Sequence, residues 1–352
     1  MRIIHILNHV QEIGNGIVNV AMDLACLQAK TGHDVGVASA GGEYEALLAS
    51  YGVKHFQLDQ ARKPLNLIKA ARGYRAIAQD FQPDIVHAHM MTGVVLASFL
   101  RAKAGYSVVS TVHNEFQRSA ILMGIADRVI AVSKAVADSM ARRGVPQRKL
   151  RVVTNGTLGS PRSRQLNEYI PIELQRPAIA TVAGMYRRKG IAELIDAFVT
   201  IANDFPQAHL YLVGNGPDRA LFEAQAQSTP VADRIHFEGF QPEPQRYLLA
   251  TDIFVLASHR EPFGLALSEA REAGCAIIAS NVDGIPEALD GGQAGILVPP
   301  TDTQAISTAL AQLLSNPNEL QKWKQQASAN LEWLSAARVN EETLAVYREL
   351  TN

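Results

Sequence analysis

Apolar runs of strand length alternate with amphipathic helical stretches along nearly the whole of this chain of 352 residues. Runs such as 129–132 contain no polar alternation, which is typical of strands covered by helices on both faces. Between the runs, apolar residues recur near the helical period, as at Ile17, Val20, Ala21 and Leu24. This alternation predicts an α/β fold with parallel sheets. The predicted strands lie near residues 2–7, 34–39, 53–57, 84–88, 107–112, 128–132, 150–153, 178–183, 208–213, 234–238, 253–257, 276–279 and 295–298.

The alternation pauses once, at residues 155–177, where Gly, Ser, Pro and Arg occur without sustained periodicity. We therefore predict two Rossmann-like domains, 1–165 and 166–336, each built on a doubly wound parallel sheet. The last segment, about 337–352, is predicted to be a helix that packs back on the first domain. Because ligands of such sheets bind beyond the carboxyl ends of the strands, we expect the two sheets to face each other across a cleft that holds the site.

Charge is divided unevenly between the two predicted domains. Residues 1–165 carry 20 Lys and Arg against 11 Asp and Glu, a net charge of +9, whereas residues 166–352 carry 13 against 23, a net charge of −10. The basic residues of the first domain concentrate at 62–77 and 142–151. These stretches are either ordinary solvated helix faces or a surface for an anionic acceptor or a membrane. We predict no nucleic-acid partner.

Hydropathy and cysteine usage indicate the compartment. No run approaches the roughly 18 apolar residues that cross a bilayer, and polar residues follow 1–7 too soon for a signal peptide. Cys26 and Cys275 lie within apolar patterns, which predicts buried thiols in a reducing compartment rather than a disulfide or a metal site. We expect a cytoplasmic protein, with peripheral contact with the inner face of the membrane if the basic stretches bind lipid.

The densest group of reactive residue types lies at 258–269, after the apolar run 253–257. A helix that begins there, near Phe263, presents free backbone N–H groups and the positive end of its dipole, which suits a diphosphate. Gly264 has no Cβ and would let a phosphate approach closely. Glu269 can accept both hydroxyls of a ribose, and Glu261 lies nearer an attached sugar. Taken alone, the two glutamates are more typical of a surface loop and a helix-stabilising first turn.

A second group, at 182–190, places Arg187, Arg188 and Lys189 directly before a helix. The helix dipole repels cations at this end, so three adjacent cations indicate a bound anion such as a nucleotide diphosphate. The alternative is a basic loop neutralised by salt or water. Cations on a diphosphate would stabilise the charge that develops on the leaving group.

Gly214-Asn215-Gly216 also follows a predicted strand, and we interpret it as a tight turn beside a nucleotide. It is a weak signal, because position 219 is Arg where a dinucleotide fingerprint needs a third glycine. A dinucleotide-dependent dehydrogenase is disfavoured for the same reason.

The first domain adds two candidates and several histidines. Gly14-Asn15-Gly16 precedes the predicted helix 17–30 and offers another helix N-terminus, and His113 follows a strand, where a histidine is more often structural. The spacing of His87 and His89 would suit a metal pair. No acidic or cysteine partner has suitable ligand spacing, so we predict no metal site. The four histidines assigned to strand ends without individual roles are His5, His9, His87 and His89.

Together and in order, these motifs resemble those of glycosyltransferase family 4, the large retaining group with the GT-B fold. The resemblance covers nearly the whole chain, and the family's spacing of two glutamates with seven residues between them is matched by Glu261 and Glu269. The full set overturns the simpler interpretations of the glutamates and the basic loop. The motifs are Gly14-Asn15-Gly16, Gly32-His33-Asp34-Val35, Val132-Ser133-Lys134, Asn155-Gly156, Arg188-Lys189-Gly190, Gly214-Asn215-Gly216-Pro217, Glu261-Pro262-Phe263-Gly264-Leu265 with Glu269, and Gly284-Ile285-Pro286-Glu287.

The resemblance implies a role for each matching position. Glu269 corresponds to the glutamate that binds ribose, and Glu261 to its partner beside the donor sugar. Lys189 and Arg188 correspond to the clamp on the diphosphate, and His113 to the histidine near the C6 hydroxyl of the sugar. The other implied donor-binding residues are Gly16, Gly184, Gly214, Gly216, Phe263, Gly264 and Leu265.

Two departures from the family pattern stand out. Met185 occupies a position where many members have Arg, which leaves open whether Arg187 or Arg188 grips the phosphate. In the first loop, Asn15-Gly16 replaces a doubled glycine, and Val18 stands where an acid is common. The first-loop contact is therefore the less specific part of the resemblance.

The resemblance implies an enzyme that moves a hexosyl group, with retention, from a UDP- or GDP-sugar to a hydroxyl of a sugar, lipid or polysaccharide. It implies no cofactor and no metal ion, and the sequence contains no Asp-x-Asp triplet. Two alternatives stay open: a related sugar-nucleotide epimerase or phosphorylase, and a non-catalytic protein that binds nucleotide sugars.

Overall fold

The computed structural model describes residues 1–61, 64–101 and 105–351 and divides into two compact units. The first unit comprises Met1–Ser163 with Leu334–Asn352, and the second comprises Arg164–Trp333. Each unit has one parallel sheet with helices. The predicted α/β class is therefore confirmed.

Seven parallel strands form the sheet of the first unit, and along the chain they are β1 (Arg2–Ile6), β2 (Asp34–Ser39), β3 (Lys54–Gln57), β4 (Ile85–Ala88), β5 (Ser107–Val112), β6 (Arg128–Ala131) and β7 (Leu150–Val152). Their spatial order is β3-β2-β1-β4-β5-β6-β7. All four residues of β4 are buried, as expected for a central strand covered on both faces. The helices between these strands are α1 (Gly16–Lys30), α2 (Glu45–Ser50), α3 (Pro64–Phe81), α4 (Met91–Leu100) and α5 (Lys134–Arg142).

Six parallel strands form the sheet of the second unit, and along the chain they are β8 (Ala178–Val182), β9 (His209–Val213), β10 (Ile235–Gly239), β11 (Ile253–Leu256), β12 (Ala276–Ser280) and β13 (Ile296–Val298). Their spatial order is β10-β9-β8-β11-β12-β13. Strands β11 and β12 are buried at every residue. The helices are α6 (Ile191–Ile201), α7 (Arg219–Gln227), α8 (Gln245–Leu248), α9 (Leu265–Glu272), α10 (Ile285–Ala288), α11 (Thr303–Ser315) and α12 (Pro317–Ala327).

Side chains that cap backbone N–H groups fix where several helices begin. The Oδ1 atom of Asn15 accepts from the backbone N–H of Ile17 at 3.1 Å, at the start of α1. The Oγ atom of Ser133 accepts from Val136 at the start of α5, and Asp302 caps α11 in the same way. Each cap satisfies one of the N–H groups that a helix leaves unpaired at its start.

A final helix, α13 (Ala336–Thr351), belongs to the first unit although it follows the second in sequence. It packs on α1 and β5. Tyr347 is fully buried, and Arg338 donates through Nη2 to the backbone carbonyl of Thr154 at 2.7 Å. The helix therefore completes the core of the first unit.

Some basic residues of the stretch 142–151 make hydrogen bonds and ion pairs within the first unit. Lys149 donates to the carbonyls of Gly124 at 3.1 Å and Ala126 at 2.8 Å, and Arg151 pairs with Glu349. In the other basic stretch, Arg62 and Lys63 lie outside the described residues. The side chains exposed there on α3 include Leu67, Ile68, Lys69, Arg72 and Arg75.

Glu349 connects α13 to two neighbouring strands. Its carboxylate accepts hydrogen bonds from Arg151 at 2.7 Å and from Arg128 at 2.8 Å. These bonds, chiefly the one from Arg151, lower the pKa of Glu349 to about 2. A carboxylate with a lowered pKa stabilises the fold above its ordinary pKa of 4.5, and this stabilisation is lost as the pH falls toward the folded value.

We expect Glu349→Gln to lower the free energy of unfolding at pH 7, by less than about 1 kcal/mol because the pair is partly exposed. The difference from the wild type should shrink as the pH falls from 5 toward 3. Urea unfolding at each pH measures it. Glu341→Gln, at an exposed position of the same helix, is the control and should leave the curve unchanged. A difference that grows as the pH falls would contradict the assignment.

Both cysteines are buried and unpaired, as predicted, and burial raises the pKa of each thiol to about 12. Across the residues that the structure describes, none of the helices has both the length and the apolarity needed to cross a bilayer.

Candidate active site

The sheet of the second unit has a topological switch point between β8 and β11. From β8 the chain continues through β9 and β10 on one side, and later returns to β11 on the other side. In open α/β sheets, ligands bind beyond the carboxyl ends of the strands at such a point. The loops that follow β8 and β11, at residues 183–190 and 257–264, begin there.

Lys189 and Glu261 meet across these two loops. The Nζ atom of Lys189 donates to the carboxylate of Glu261, and the hydroxyl of Ser258 also donates to it at 3.4 Å. Glu261 is buried and Lys189 is half-buried. The structure thus brings together two residues that stand 72 positions apart in the sequence. A buried carboxylate needs such a partner, because an unpaired buried charge is strongly destabilising.

The backbones of the two loops are in direct contact. The N–H of His259 donates to the carbonyl of Arg188 at 2.8 Å. Gly190 has a left-handed backbone with φ of 66°, and a Cβ atom there would lie 1.9 Å from the carbonyl oxygen of Ala257. Only glycine fits this position. Because Gly190 has no side chain, the basic loop can lie directly against the loop that carries Glu261.

The neighbouring arginines have different surroundings. Arg187 is held by Asp218, which accepts from its backbone N–H at 2.9 Å and lies 3.8 Å from its Nε atom. The guanidinium of Arg188 lies 5.4 Å from the centre of the Tyr186 ring. Met185 is fully buried in the core of the second unit, so this position presents no side chain to a ligand. The two arginines are therefore held by different contacts, Arg187 by Asp218 and Arg188 by the ring of Tyr186.

The loop after β11 leads into α9 through Gly264, whose φ of 89° is left-handed. Because of this conformation the helix begins at Leu265, two residues later than predicted. Phe263 is buried and packs edge-on against Trp333, with 6.2 Å between ring centres. Glu269 is half-buried in the second turn of α9. The N-terminus of α9 and its glutamate therefore lie beside the loop that carries Glu261.

The loop after β9 packs backbone to backbone against the loop after β8. The N–H of Met185 donates to the carbonyl of Asn215 at 3.0 Å. A Cβ atom at Gly214 would lie 2.0 Å from the carbonyl oxygen of Ala183, and one at Gly216 would lie 2.5 Å from that of Met185. The turn in this loop lies slightly later than predicted, at residues 217–218, where the N–H of Arg219 donates to the carbonyl of Gly216 at 3.2 Å. The two glycines allow the loops to touch, and Gly184 lies at the same contact.

In the first unit, the corresponding switch point lies between β1 and β4. The loop after β1 carries Gly14-Asn15-Gly16, and Gly16 is the first residue of α1. His113 follows β5 and is half-buried, and burial lowers its pKa to about 3. His113 is therefore a neutral hydrogen-bonding group at physiological pH.

Sequence spacing missed a cluster of histidines in the first unit. The parallel register places His5 of β1 directly beside His87 of β4, and His89 follows on the same strand end. Ligand atoms of these three side chains lie within 4.8 Å of one another. Only the pairing of β1 with β4 brings His5 to this group, so sequence spacing could not find it.

Comparison with known families assigns both units. The model described as Glycosyltransferase Family 4 matches residues 14–157, in the first unit. The model described as Glycosyl transferases group 1 matches residues 164–330, in the second unit. The two matches together leave only short segments of the chain unassigned.

Individual relatives agree with these models. The chain is 29% identical to the alpha-maltose-1-phosphate synthase of Mycolicibacterium smegmatis over 293 residues, 76% of this chain and 73% of the relative. It is 24% identical to the N-acetyl-alpha-D-glucosaminyl L-malate synthase of Bacillus anthracis over 86% of this chain and 85% of the relative. The crystal structure of Anabaena HepE in complex with UDP-glucose has the same fold, with a TM-score of 0.84, 18% identity and 99% of each chain covered.

Proposed function

The chain belongs to the GT-B glycosyltransferases with family 4 and group 1 domains, enzymes that transfer a sugar from a nucleotide sugar, and from this premise we propose a retaining hexosyltransferase. Its donor is a UDP- or GDP-sugar and its acceptor carries a hydroxyl group. The observation that carries the proposal is the contact between Lys189 and Glu261 at the switch point of the second unit.

The donor site is assigned to the loops at this switch point. Lys189 and Arg188 bind the diphosphate, and Glu261 lies beside the sugar. Glu269, one turn into α9, accepts the two ribose hydroxyls. The backbone N–H groups of Phe263, Gly264 and Leu265 add to the diphosphate site, as expected of a helix N-terminus. Gly184, Gly214 and Gly216 shape the neighbouring loops, and Gly16 and His113 of the first unit keep the roles that the resemblance implies.

The proposed reaction takes place on one face of the sugar. The acceptor oxygen bonds to the anomeric carbon while the bond from that carbon to the diphosphate breaks. The departing phosphate oxygen takes the acceptor proton, so the protein supplies no nucleophile. Lys189 and Arg188 stabilise the charge that develops on the leaving diphosphate, which is the role we propose in place of a metal ion.

The acceptor is proposed to be anionic or to lie at an anionic membrane surface. The first domain carries a net charge of +9, and helix α3 exposes Lys69, Arg72 and Arg75 together with Ile68. Cations near such a surface each contribute about 1 kcal/mol to binding. Two of the relatives, the alpha-maltose-1-phosphate synthase and the N-acetyl-alpha-D-glucosaminyl L-malate synthase, are likewise named for compounds that carry a phosphate or a carboxylate.

A thermal-shift screen with UDP, GDP and their sugars tests the donor assignment. A nucleotide at 100 times its dissociation constant should stabilise the protein by about 2.7 kcal/mol. Glu269→Gln should weaken that nucleotide at least about tenfold, because it removes a charged acceptor of two hydrogen bonds. Glu272→Gln, one turn further along α9, is the control and should bind as the wild type does. No stabilisation by any nucleotide would refute the proposal.

A further inference from the structure

Four buried or half-buried side chains of the first unit form one continuous line of hydrogen bonds. The Oε1 atom of Gln28 lies 2.8 Å from Nε2 of His5, and Nδ1 of His5 lies 2.9 Å from Nε2 of His89. Nδ1 of His89 lies 3.0 Å from Nε2 of His113. The line runs from helix α1 through the ends of β1 and β4 to the residue assigned to the donor sugar.

The amide of Gln28 gives this line a direction. Its Oε1 atom can only accept, so His5 carries its proton on Nε2 and its Nδ1 atom accepts. That requires a proton on Nε2 of His89, and His89 in turn accepts through Nδ1. Nε2 of His113 must then carry the proton, and the lone pair of His113 is on Nδ1.

A second line of hydrogen bonds starts from the other polar atom of the same amide. The Nε2 atom of Gln28 donates to the hydroxyl of Tyr347 at 3.4 Å. That hydroxyl lies 2.6 Å from Nδ1 of His87, whose Nε2 atom lies 2.6 Å from the hydroxyl of Thr111. Tyr347 can accept from Gln28 while it donates to His87, so the second line is compatible with the direction of the first.

The imidazoles in both lines are neutral. Burial lowers the pKa of His5 to about 4 and that of His113 to about 3, and it holds the pKa values of His87 and His89 well below the ordinary range. Each neutral ring has one N–H donor and one acceptor, which a line of fixed direction needs.

We propose that Gln28, acting through His5 and His89, is a positioning residue that holds His113 in the tautomer protonated on Nε2 and presents Nδ1 of His113 as a hydrogen-bond acceptor to a hydroxyl of the donor sugar. The contact with the sugar rests on the proposed function, whereas the tautomer of His113 does not. The arrangement selects donors that offer a hydroxyl hydrogen to this nitrogen, because a sugar without that hydroxyl would leave it unpaired.

The same geometry favours this role over a metal site made of His5, His87 and His89. All six ring nitrogens of these residues lie within hydrogen-bonding distance of a protein partner. A metal ion coordinated by these rings would have to replace several of these hydrogen bonds, and it would lie at a fully buried position.

Nuclear magnetic resonance of protein labelled with ¹⁵N-histidine reads the tautomers directly, without substrate. We expect an N–H signal from Nε2 of His113 and the shift of an unprotonated nitrogen from Nδ1, unchanged between pH 5 and 8. Protonation of His113 on Nδ1, or a mixture of tautomers in the wild type, would overturn the proposal. So would binding of one equivalent of Zn²⁺ that shifts His5, His87 and His89 together.

Two variants of similar size separate positioning from packing. Asparagine in His89→Asn keeps an acceptor near the place of Nδ1, whereas leucine in His89→Leu has none. We expect His89→Asn to retain the tautomer of His113 and His89→Leu to lose it. If donor turnover is present, KM for the donor should rise about threefold to tenfold in His89→Leu relative to His89→Asn. Equal tautomers in the two variants would contradict the proposal even in a protein with no transferase activity.

Discussion

Replacement of Lys189 by alanine is expected to lower kcat about 100-fold or more. The ammonium group of Lys189 lies at the switch point between β8 and β11 and is assigned to the diphosphate that leaves in the reaction. Removal of a group that stabilises charge in the transition state typically costs two to three orders of magnitude in rate. Steady-state turnover of the donor that passes the thermal-shift screen measures this loss.

Arg187→Ala is the matched control, because Arg187 is a neighbouring cation that is held by Asp218. It should retain most of the wild-type kcat. Since Lys189→Ala also leaves the buried carboxylate of Glu261 without its cation, the melting temperature of each variant must be compared. A folded Lys189→Ala protein with near-normal turnover would remove Lys189 from the mechanism.

Gly190→Ala is expected to destabilise the second unit by about 2–5 kcal/mol. An alanine there has a left-handed backbone, which costs roughly 1–2 kcal/mol, and its Cβ atom would lie 1.9 Å from the carbonyl oxygen of Ala257. The displacement needed to relieve this contact adds about 1–3 kcal/mol. Because the displaced loop carries Lys189, nucleotide binding should fall as well. Urea unfolding and nucleotide titration measure the two effects.

Gly291→Ala separates backbone strain from the collision. Gly291 belongs to the same unit and has nearly the same backbone, with φ of 70° and ψ of 21° against 66° and 27° at Gly190. A Cβ atom at Gly291 would meet no heavy atom within 4 Å. We expect this variant to lose only about 1–2 kcal/mol and to bind nucleotide normally. Equal losses in the two variants would show that the contact with Ala257 can relax.

The strands could be predicted to within about one residue at most ends, because most of them are compact apolar runs between polar segments. Strand β11, predicted at 253–257, occupies Ile253–Leu256 and is buried throughout. The start of α9 was less accurate, since the left-handed conformation of Gly264 delays the helix to Leu265. A propensity pattern does not contain that backbone angle.

The sequence indicates individual candidate residues for the site, but not the contacts between them. Motif order indicated Lys189 and Glu261 separately, and their ion pair depends on the spatial order of β8 and β11. The burial of Met185 in the core could not be predicted from its place in the motif. The histidine cluster was not predicted, because His5 comes beside His87 only through the register of β1 and β4. Long-range pairing of this kind is decided by the tertiary fold.

The position of α13 in the sequence has a consequence for biosynthesis. The first unit is encoded in two pieces, and the helix that brings Tyr347 to His87 leaves the ribosome only after all of Arg164–Trp333 has been made. Domains generally fold as units during synthesis. The later unit is continuous and can finish folding as it emerges. The earlier unit cannot complete its core until α13 has been made, and until then Gln28 and His87 lack their hydrogen-bond partner Tyr347.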